Sequence, residues 1–452
     1  MSCSRPPKPP SPDSFRRALG NREKAFRKIY RKNVTGRVRE KAVTDQPRAK
    51  LAAGPARQIA ICRAGMHNSS LSHILYPISY ISPGGVNLSK EKQHIFGALA
   101  VAGIWLGLAL ALWFGPRQEV SRWERRKLEQ FPAVTAQALL DGRLMTKFES
   151  FTQDQFPLRE SFRRLKAQFS YGLLRQLDNN GIYLTQGSAA KLEYPLNEQS
   201  LARAVEKFQE IYDRYLQGGA GKVVFSVAPD KGYYLARSNG YPAMDYEKLF
   251  SALRAIPWGE YVDLTDTLSA QSYYATDIHW RQETLLEAAE KIARGLGVDI
   301  EEEYRPTALD RPFYGVYYGQ AALPLEPDTL WLLESDTLDG CVVTNHDTGE
   351  TLSVYDRTKL DSWDLYDVFL SGPAAVLTVE NPGAKTDREL IVFRDSFGSS
   401  LVPLLLPGYS KVTLLDIRYV PTACLEEYVE FGDQDVLFLY SPLVLNQSAM
   451  LK

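Results

Sequence analysis

The sequence has few of the residues that bind transition metals or form disulfides. It contains 4 cysteines and 5 histidines in 452 residues. Only Cys341, Cys424, His279 and His346 follow the long hydrophobic segment at 95–114, and they are too scattered for the ligand spacing of a zinc site. We therefore expect no metal site of this kind, with only a site built from carboxylates left open, and no disulfide on which folding depends.

Motifs for cofactors are missing as well. No glycine-rich loop of the kind that holds a phosphate or a nucleotide follows any apolar run, and no segment of the chain repeats another. We therefore predict that the protein carries no cofactor.

The charges are divided unevenly along the chain. Residues 1–94 hold 19 Lys and Arg against 5 Asp and Glu, whereas the remainder holds 34 against 49. The basic segment is rich in proline and arginine and has no sustained amphipathic period. We predict that it is disordered, or that it is an extension upstream of the true start. A cytoplasmic tail that contacts anionic lipid or nucleic acid is the alternative, although we expect no nucleic-acid partner.

A hydrophobic segment separates these two parts of the chain. Positions 95–114 include no charged residue, and twenty such residues in a helix are enough to cross a hydrocarbon core of about 30 Å. The segment predicts a single membrane-spanning helix at 95–115. Ala109-Leu110-Ala111 resembles a cleavage site, but three more apolar residues follow it, so we expect an uncleaved anchor.

The charges beside the span give conflicting predictions of its orientation. Lys90 and Lys92 precede it, and five basic residues follow it within 117–127. Counted locally, they favour a cytoplasmic location for the large domain. The distal basic segment favours the opposite orientation.

Two short motifs in the large domain contain the side chains of a nucleophilic triad. The first is Thr276-Asp277-Ile278-His279-Trp280, and the second runs from Arg394 to Ser400 and includes Ser396. A serine hydroxyl needs a base to accept its proton, and the base needs a partner that holds its tautomer. Side chains two apart in an extended segment lie on one face, so Asp277 can support the ring of His279. We predict Asp277, His279 and Ser396 as catalytic residues.

The setting of Ser396 agrees with this prediction. Four apolar residues precede the motif, which reads as a buried strand that meets the start of a helix. Such a junction aims free backbone N–H groups at the serine, so we predict oxyanion support from Phe397 and Gly398. The alternative is structural: Ser396 or Asp395 caps a helix, and Asp277 pairs with an arginine.

Several aromatic and basic residues near the motifs are candidates for substrate binding. Trp280 and Tyr273 flank the histidine, and flat rings with polar tips can stack on sugars. Lys231 and Arg394 could contact a substrate as well. Burial in the core is the alternative for the rings, and pairing with a carboxylate is the alternative for Lys231. His346 lies in a polar, turn-like stretch and is not expected to act as a base.

The order of apolar runs and amphipathic stretches predicts an α/β fold. The runs suit a mainly parallel sheet that is buried on both faces, and sites in such sheets lie at the carboxyl ends of strands, where Ser396 falls. We predict helices at 119–175, 197–217, 245–255 and 281–296, a short extended stretch at 261–264, and strands at 222–227, 375–380, 389–393, 411–415 and 435–440.

An ordered series of motifs from about residue 119 to the end resembles the DHHW proteins, a family related to alginate O-acetyltransferases within the SGNH-hydrolase-like group. Besides the two motifs above, the series comprises Glu124-Arg125-Arg126 with Phe131-Pro132, Asp154 to Arg159, Asn180 to Tyr183, Val227 to Lys231, Leu406 to Ser410 and Asp416 to Tyr419. Two positions depart from the pattern. Ile278 replaces the first histidine of the name motif, and Gly372-Pro373 stands where a Gly-Asn pair is expected, which removes a side-chain oxyanion donor.

The resemblance implies a three-layer α/β/α SGNH-like sandwich over 116–452, with a helical collar at its start. It implies that Asp277 orients His279, that His279 is the base and that Ser396 is the nucleophile. The implied function is a membrane-anchored, extracytoplasmic O-acyltransferase or esterase for acetyl groups of a cell-surface polysaccharide. An integral membrane acyltransferase is the implied acyl donor. The alternative is a non-catalytic glycan-binding or assembly scaffold with a degenerate triad.

Overall fold

The structure, a computed structural model, describes residues 89–452. The predicted disordered segment at 1–94 therefore lies almost wholly outside the described residues. The first element is helix α1, Lys90–Phe114, which begins five residues before the predicted span. At 1.5 Å per residue it is about 38 Å long. It is apolar and none of its residues is buried, so by length and composition it can cross a membrane.

The end of α1 is tied to the segment that follows. The Arg117 guanidinium donates to the carbonyl oxygens of Leu112, at 2.8 Å, and Trp113, at 3.2 Å. These are among the carbonyls that a helix leaves without partners at its C-terminus. The Trp113 ring also packs on Phe131 and Phe148, with centroid separations of 6.0 and 6.2 Å.

The collar is only partly helical. A short antiparallel hairpin comes first, where the sequence predicts helix. The elements of the collar are β1 (Val120–Ser121), β2 (Arg126–Lys127), α2 (Ala136–Leu140), α3 (Arg143–Asp154), α4 (Arg159–Ala167) and a π-helical segment (Gln168–Leu173) that continues α4.

Ion pairs join the two blocks of sequence that mark the start of the collar. Arg126 donates to Asp154 at 2.7 Å, and Arg159 lies 2.6 Å from the carboxylate of Glu124. Because these side chains are mostly screened from water, their charges are balanced within the collar.

The main body is built around an eight-stranded sheet. Its strands are β5 (Val223–Val227), β6 (Glu260–Tyr261), β9 (Val342–Asn345), β10 (Glu350–Leu352), β11 (Val376–Glu380), β12 (Glu389–Arg394), β13 (Lys411–Leu415) and β14 (Asp435–Tyr440). Their order in the sheet is β10-β9-β11-β13-β12-β14-β5-β6. Strands β13, β12, β14, β5 and β6 are parallel. The predicted strand at 375–380 is present, but it runs antiparallel to both neighbours, and β9 and β10 extend the antiparallel edge.

Helices cover both faces of the sheet, as a three-layer sandwich requires. Side chains alternate along each strand: Leu390 and Val392 of β12 face one apolar cluster, and Ile391 and Phe393 face the other. The helices that follow the collar are α5 (Glu198–Ile211), α6 (Lys231–Leu235), α7 (Tyr246–Arg254), α8 (Leu286–Leu296), α9 (Val316–Ala321), α10 (Asp336–Gly340), α11 (Gly398–Leu401) and α12 (Pro442–Leu445). Helices α5 and α7 lie on the face of Phe393, and α8 lies on the opposite face.

Two further hairpins lie outside the main sheet. They are formed by β3 (Ile182–Thr185) with β4 (Ser188–Lys191) and by β7 (Arg305–Phe313) with β8 (Asp328–Glu334). Within the described residues Cys341 and Cys424 are free thiols, the first buried and the second half-buried.

Candidate active site

The serine motif lies at the carboxyl edge of the parallel strands. Strand β12 ends at Arg394, and the turn that follows is held by Asp395. One oxygen of Asp395 accepts the Phe397 N–H at 3.0 Å, and the other accepts the Ser441 N–H and hydroxyl at 2.8 and 2.6 Å. Asp395 therefore ties the turn to the end of neighbouring β14 and leaves the adjacent Ser396 half-buried at the edge of the site.

The three predicted catalytic side chains form one hydrogen-bonded chain. Nδ1 of His279 lies 2.6 Å from Oδ1 of Asp277, and Nε2 of His279 lies 2.9 Å from Oγ of Ser396. Because Asp277 can only accept, the Nδ1 proton is assigned to this bond, and Nε2 is left to accept the serine proton. The structure thus brings together residues that lie 117 positions apart.

Asp277 is enclosed by groups that favour its charged form. It has no exposed surface, and its second oxygen accepts the Val316 N–H at 2.7 Å and lies 3.5 Å from the guanidinium of Arg125. Burial alone would raise the pKa of Asp277, but His279, Arg125 and the Val316 N–H hold it well below its usual range. Asp277 therefore stays ionised and can orient and stabilise a protonated His279.

The His279 ring is held in place by Tyr366. The two rings stack with centroids 3.8 Å apart and planes within 7° of each other. The Tyr366 hydroxyl is itself fixed by Ser400, at 2.7 Å between oxygens, and Ser400 accepts from the Trp280 indole at 2.9 Å. No feature of the sequence around Tyr366 distinguishes it from other tyrosines, so sequence reasoning missed it.

The predicted oxyanion donors are already engaged. The Phe397 N–H donates to the Asp395 side chain, and the Gly398 N–H donates to the Asp395 carbonyl at 3.1 Å. This is a correction, and its cause is the tight turn that Asp395 imposes. Among residues 89–452, the N–H of Ser396 itself donates no hydrogen bond, so it is the backbone donor at this turn that remains available for an oxyanion.

The four residues predicted to bind substrate are buried. Trp280 has no exposed surface, Tyr273 is 4% exposed, and Lys231 and Arg394 are each 2% exposed. Trp280 and Tyr273 donate to Phe397 and Pro229 carbonyls, at 3.1 and 2.5 Å. The prediction of a sugar-stacking surface at these positions is therefore wrong, because the motifs that contain them form the inner wall behind the triad.

Lys231 is likewise buried and bonded to groups of the protein. Its ammonium donates to the carbonyls of Tyr274 and Ala275, at 2.9 and 3.3 Å, and lies 5.1 Å from the ring centroid of Tyr317. Burial lowers the pKa of Lys231 to about 7, although the charge of Asp277 opposes that shift. Lys231 therefore supports the backbone just before the histidine motif.

Arg394 is held inside the turn that carries Ser396. Its guanidinium donates to the Ser399 hydroxyl at 3.1 Å. Burial lowers its pKa, although the charge of Asp416 acts in the opposite direction. Arg394 thus contacts groups of the protein, whereas the sequence analysis proposed that it could contact a substrate.

Arg125 is the other contributor that sequence reasoning did not assign to the site. It forms an ion pair with Asp364 and donates to the Tyr314 carbonyl at 2.9 Å, in addition to its contact with Asp277. Burial raises the pKa of Asp364, and burial together with the charge of Asp364 raises that of Asp367 to about 7. The only sequence signal was the Glu124-Arg125-Arg126 block, which lies 152 positions from Asp277.

A metal site is not apparent in the described part of the chain. Within residues 89–452, no three His, Cys, Asp or Glu side chains are arranged to hold an ion.

Comparisons with known proteins were made at three levels. No protein-family model matches the chain, and no curated protein matches it. Among solved structures, a DHHW family protein from Eubacterium siraeum is 21% identical with a TM-score of 0.49, and the match covers 59% of this chain and 93% of that one.

Two other solved structures have lower identity. Bacillus cereus PatB1 is 16% identical with a TM-score of 0.48, and the match covers 58% of this chain and 96% of PatB1. The O-acetyltransferase domain of Pseudomonas putida AlgJ is 13% identical with a TM-score of 0.39, and the match covers 59% and 92%. These similarities concern the fold and assign no role to any residue here. The solved structures similar to this chain include a DHHW family protein and an O-acetyltransferase domain, which matches the resemblance seen in the motifs.

Proposed function

We propose that this protein is a membrane-anchored, extracytoplasmic O-acyltransferase or esterase that acts on acetyl groups of a cell-surface polysaccharide. The observation that carries the proposal is the continuous chain from Asp277 through His279 to Ser396, with separations of 2.6 and 2.9 Å. Both separations are within hydrogen-bonding distance.

The geometry supports a double-displacement reaction. His279 Nε2 takes the Ser396 proton as Oγ attacks the acetyl carbonyl. In this proposal the Ser396 N–H donates to the oxyanion. His279 then returns the proton to the departing alcohol, which leaves an acetyl ester on Ser396. A sugar hydroxyl or water attacks this ester, with His279 again as the base.

Acetyl transfer and ester hydrolysis use the same triad. They differ in the acceptor of the acetyl group, which is a sugar hydroxyl in transfer and water in hydrolysis. The motif resemblance supports a polysaccharide as the acetylated molecule and an integral membrane acyltransferase as the donor. The apolar helix α1 supports attachment to the membrane that such a donor occupies.

Orientation is the second part of the proposal: the domain after α1 lies outside the cytoplasm. Three of the basic residues that follow the span are engaged in the fold: Arg117 on the end of α1, Arg125 at the triad and Arg126 on Asp154. These charges therefore have structural partners that a simple count of flanking charges ignores. An export-dependent phosphatase fused after Lys452 should be active, and a reporter active only in the cytoplasm should be silent; the reverse result contradicts this orientation.

The catalytic part of the proposal is tested with the full chain in detergent or nanodiscs. The protein should release acetate from an activated acetyl ester, and a fluorophosphonate should label Ser396. Added polysaccharide should receive the acetyl group if the protein is a transferase. The Ser396→Ala variant is the negative control and His346→Ala is the matched positive control, because His346 is exposed and contacts Thr378 rather than the triad. A folded wild type that resists the probe yet binds polysaccharide would instead be a glycan-binding scaffold.

A further inference from the structure

The exposed apolar side chains of this protein are concentrated in the collar. Apart from α1, thirteen exposed large hydrophobic residues lie within 123–177, whereas the rest of the described chain, 178–452, has five. Monomeric soluble proteins rarely leave such side chains grouped together, and grouped ones mark an interaction surface. The collar is therefore the part of the domain in which these exposed apolar side chains indicate an interaction surface.

Helix α4 and its π-helical continuation carry the clearest part of this surface. Leu158, Phe162, Leu165, Phe169 and Leu173 are each between 45% and 71% exposed. Leu158 immediately precedes α4, and from Phe162 onward the residues follow one another at intervals of three, four and four, which places those four on one side of a helix. We call these five residues the apolar stripe.

The opposite side of the same helix packs on the protein. Ala167 and Ser170 are buried, and Arg163 donates to the Gly319 carbonyl at 2.7 Å. The stripe is therefore turned away from the domain and is not a poorly packed core face.

The stripe lies beside the end of the membrane-spanning helix. Leu112 of α1 and Phe162 of the stripe line one cleft of about 900 Å³, together with Phe156 and Lys166. Because both helices border this cleft, whose other lining side chains are mostly polar or charged, α4 lies close to the point where the chain leaves its apolar span.

Basic side chains accompany the stripe. Lys166 and Arg175 are exposed and form no ion pair within residues 89–452. An amphipathic helix with an apolar side and adjacent cations is the form that lies in the interface of a bilayer with anionic headgroups.

We propose that α4 lies in the membrane interface, with the apolar stripe among the acyl chains and Lys166 and Arg175 at anionic headgroups. The collar then holds the domain against the bilayer through a second contact besides α1. This proposal rests on α1 crossing the membrane and is independent of the acyl chemistry.

The test is photo-crosslinking of the full chain in nanodiscs of phosphatidylcholine and phosphatidylglycerol. The photoreactive residue p-benzoylphenylalanine replaces Phe162 or Phe169, one at a time, and lipid adducts are measured by mass spectrometry. Gln168, exposed on the same helix but outside the stripe, is the matched control. Tyr194, which is 64% exposed in the main body, is the distant control.

We expect lipid adducts at Phe162 and Phe169 at several times the level at Gln168, and none above background at Tyr194. Phe96 in α1 reports whether the span is in the bilayer, and its failure to capture lipid would overturn the premise. Capture of a second copy or of another protein at Phe169, without lipid, would overturn the proposal in favour of a protein interface. Leu165→Glu with Leu173→Glu should reduce lipid capture at Phe169 several-fold without altering acetyl-ester turnover.

Discussion

The guanidinium of Arg125 lies 3.5 Å from the carboxylate of Asp277, so the collar contributes directly to the environment of the triad. Arg125→Ala removes one of the charges that hold the pKa of Asp277 down, and we therefore expect the acid limb of the pH–rate profile to move to higher pH. Turnover should fall about tenfold with little change in KM, as expected for a residue that positions another.

Arg126→Ala is the matched control for Arg125. Arg126 is the next residue and is also half-buried, but its partners are Asp154 and Glu124 in the collar. Its loss should lower stability and leave the pH–rate profile of the folded protein unchanged. Equal effects of the two substitutions on that profile would show that Arg125 has no particular role at the triad.

The triad residues should behave as one unit. Ser396→Ala, His279→Ala and Asp277→Ala should each reduce turnover by at least about 10³-fold, and the Ser396→Ala/His279→Ala double variant should be scarcely slower than either single variant. Asp277→Asn should be milder than the serine change. Steady-state rates and circular dichroism check these outcomes; full activity in a folded Ser396→Ala protein would remove the basis of the catalytic proposal.

Tyr366 should act mainly through its ring. Tyr366→Phe keeps the stack on His279 and loses the hydroxyl's bond to Ser400 and its long bond, 3.5 Å, to the Ser396 carbonyl, so turnover should stay within about threefold of wild type. Tyr366→Ala removes the stack, and an aromatic contact worth about 0.5–1.5 kcal/mol corresponds to a loss of up to about tenfold. The kinetic comparison of the two variants separates the ring from the hydroxyl; equal losses would contradict this division.

Gly315 should be intolerant of a side chain because its backbone lies against the triad loop. A methyl group there would overlap the backbone of Asp277 and the carbonyl of Thr276. Gly315→Ala should displace Asp277 and reduce turnover by about 10²-fold, the cost of a misplacement of about 1 Å. Gly340→Ala is the control, since a methyl group there meets no atom within 4 Å, and it should leave turnover unchanged.

Stability should rise with pH in the alkaline range because of Lys231. Its pKa falls from an ordinary 10.5 to about 7 on burial, so between these values the unfolded chain binds more protons than the folded one. The free energy of unfolding should therefore increase from pH 7 towards pH 10, by something on the order of 3–5 kcal/mol. Denaturant titrations of wild type and Lys231→Met check this; the same pH slope in both proteins would rule Lys231 out.

The strands of the main sheet could be predicted because apolar runs of five or six residues, bounded by polar turns, are typical of buried strands. Strands β13 and β14 coincide with their predicted ranges, 411–415 and 435–440. The direction of β11 could not be predicted, since a strand buried on both faces has the same apolar pattern whether parallel or antiparallel. The hairpin at 120–127 was missed because its strands have only two residues each.

Part of the candidate site could be predicted from the sequence as well, and part of it could not. Asp277, His279 and Ser396 could be brought together from local spacing and motif resemblance. The burial of Lys231 and Arg394 could not be predicted, because the compensating partners are backbone carbonyls and hydroxyls that no sequence pattern displays. The contribution of Tyr366 depends on a stacking geometry that arises only when the chain is folded.

The contact between Arg125 and Asp277 also limits the distance between the triad and the end of α1. Arg125 follows Phe114, the end of α1, by only eleven positions, and eleven residues plus one arginine side chain span at most about 45 Å. With α1 in a bilayer, Ser396 would be confined to a thin layer above the lipid headgroups. If the protein has the proposed activity, polymer segments would be acetylated or deacetylated while they are still close to the membrane, and segments farther out in the envelope would be beyond reach.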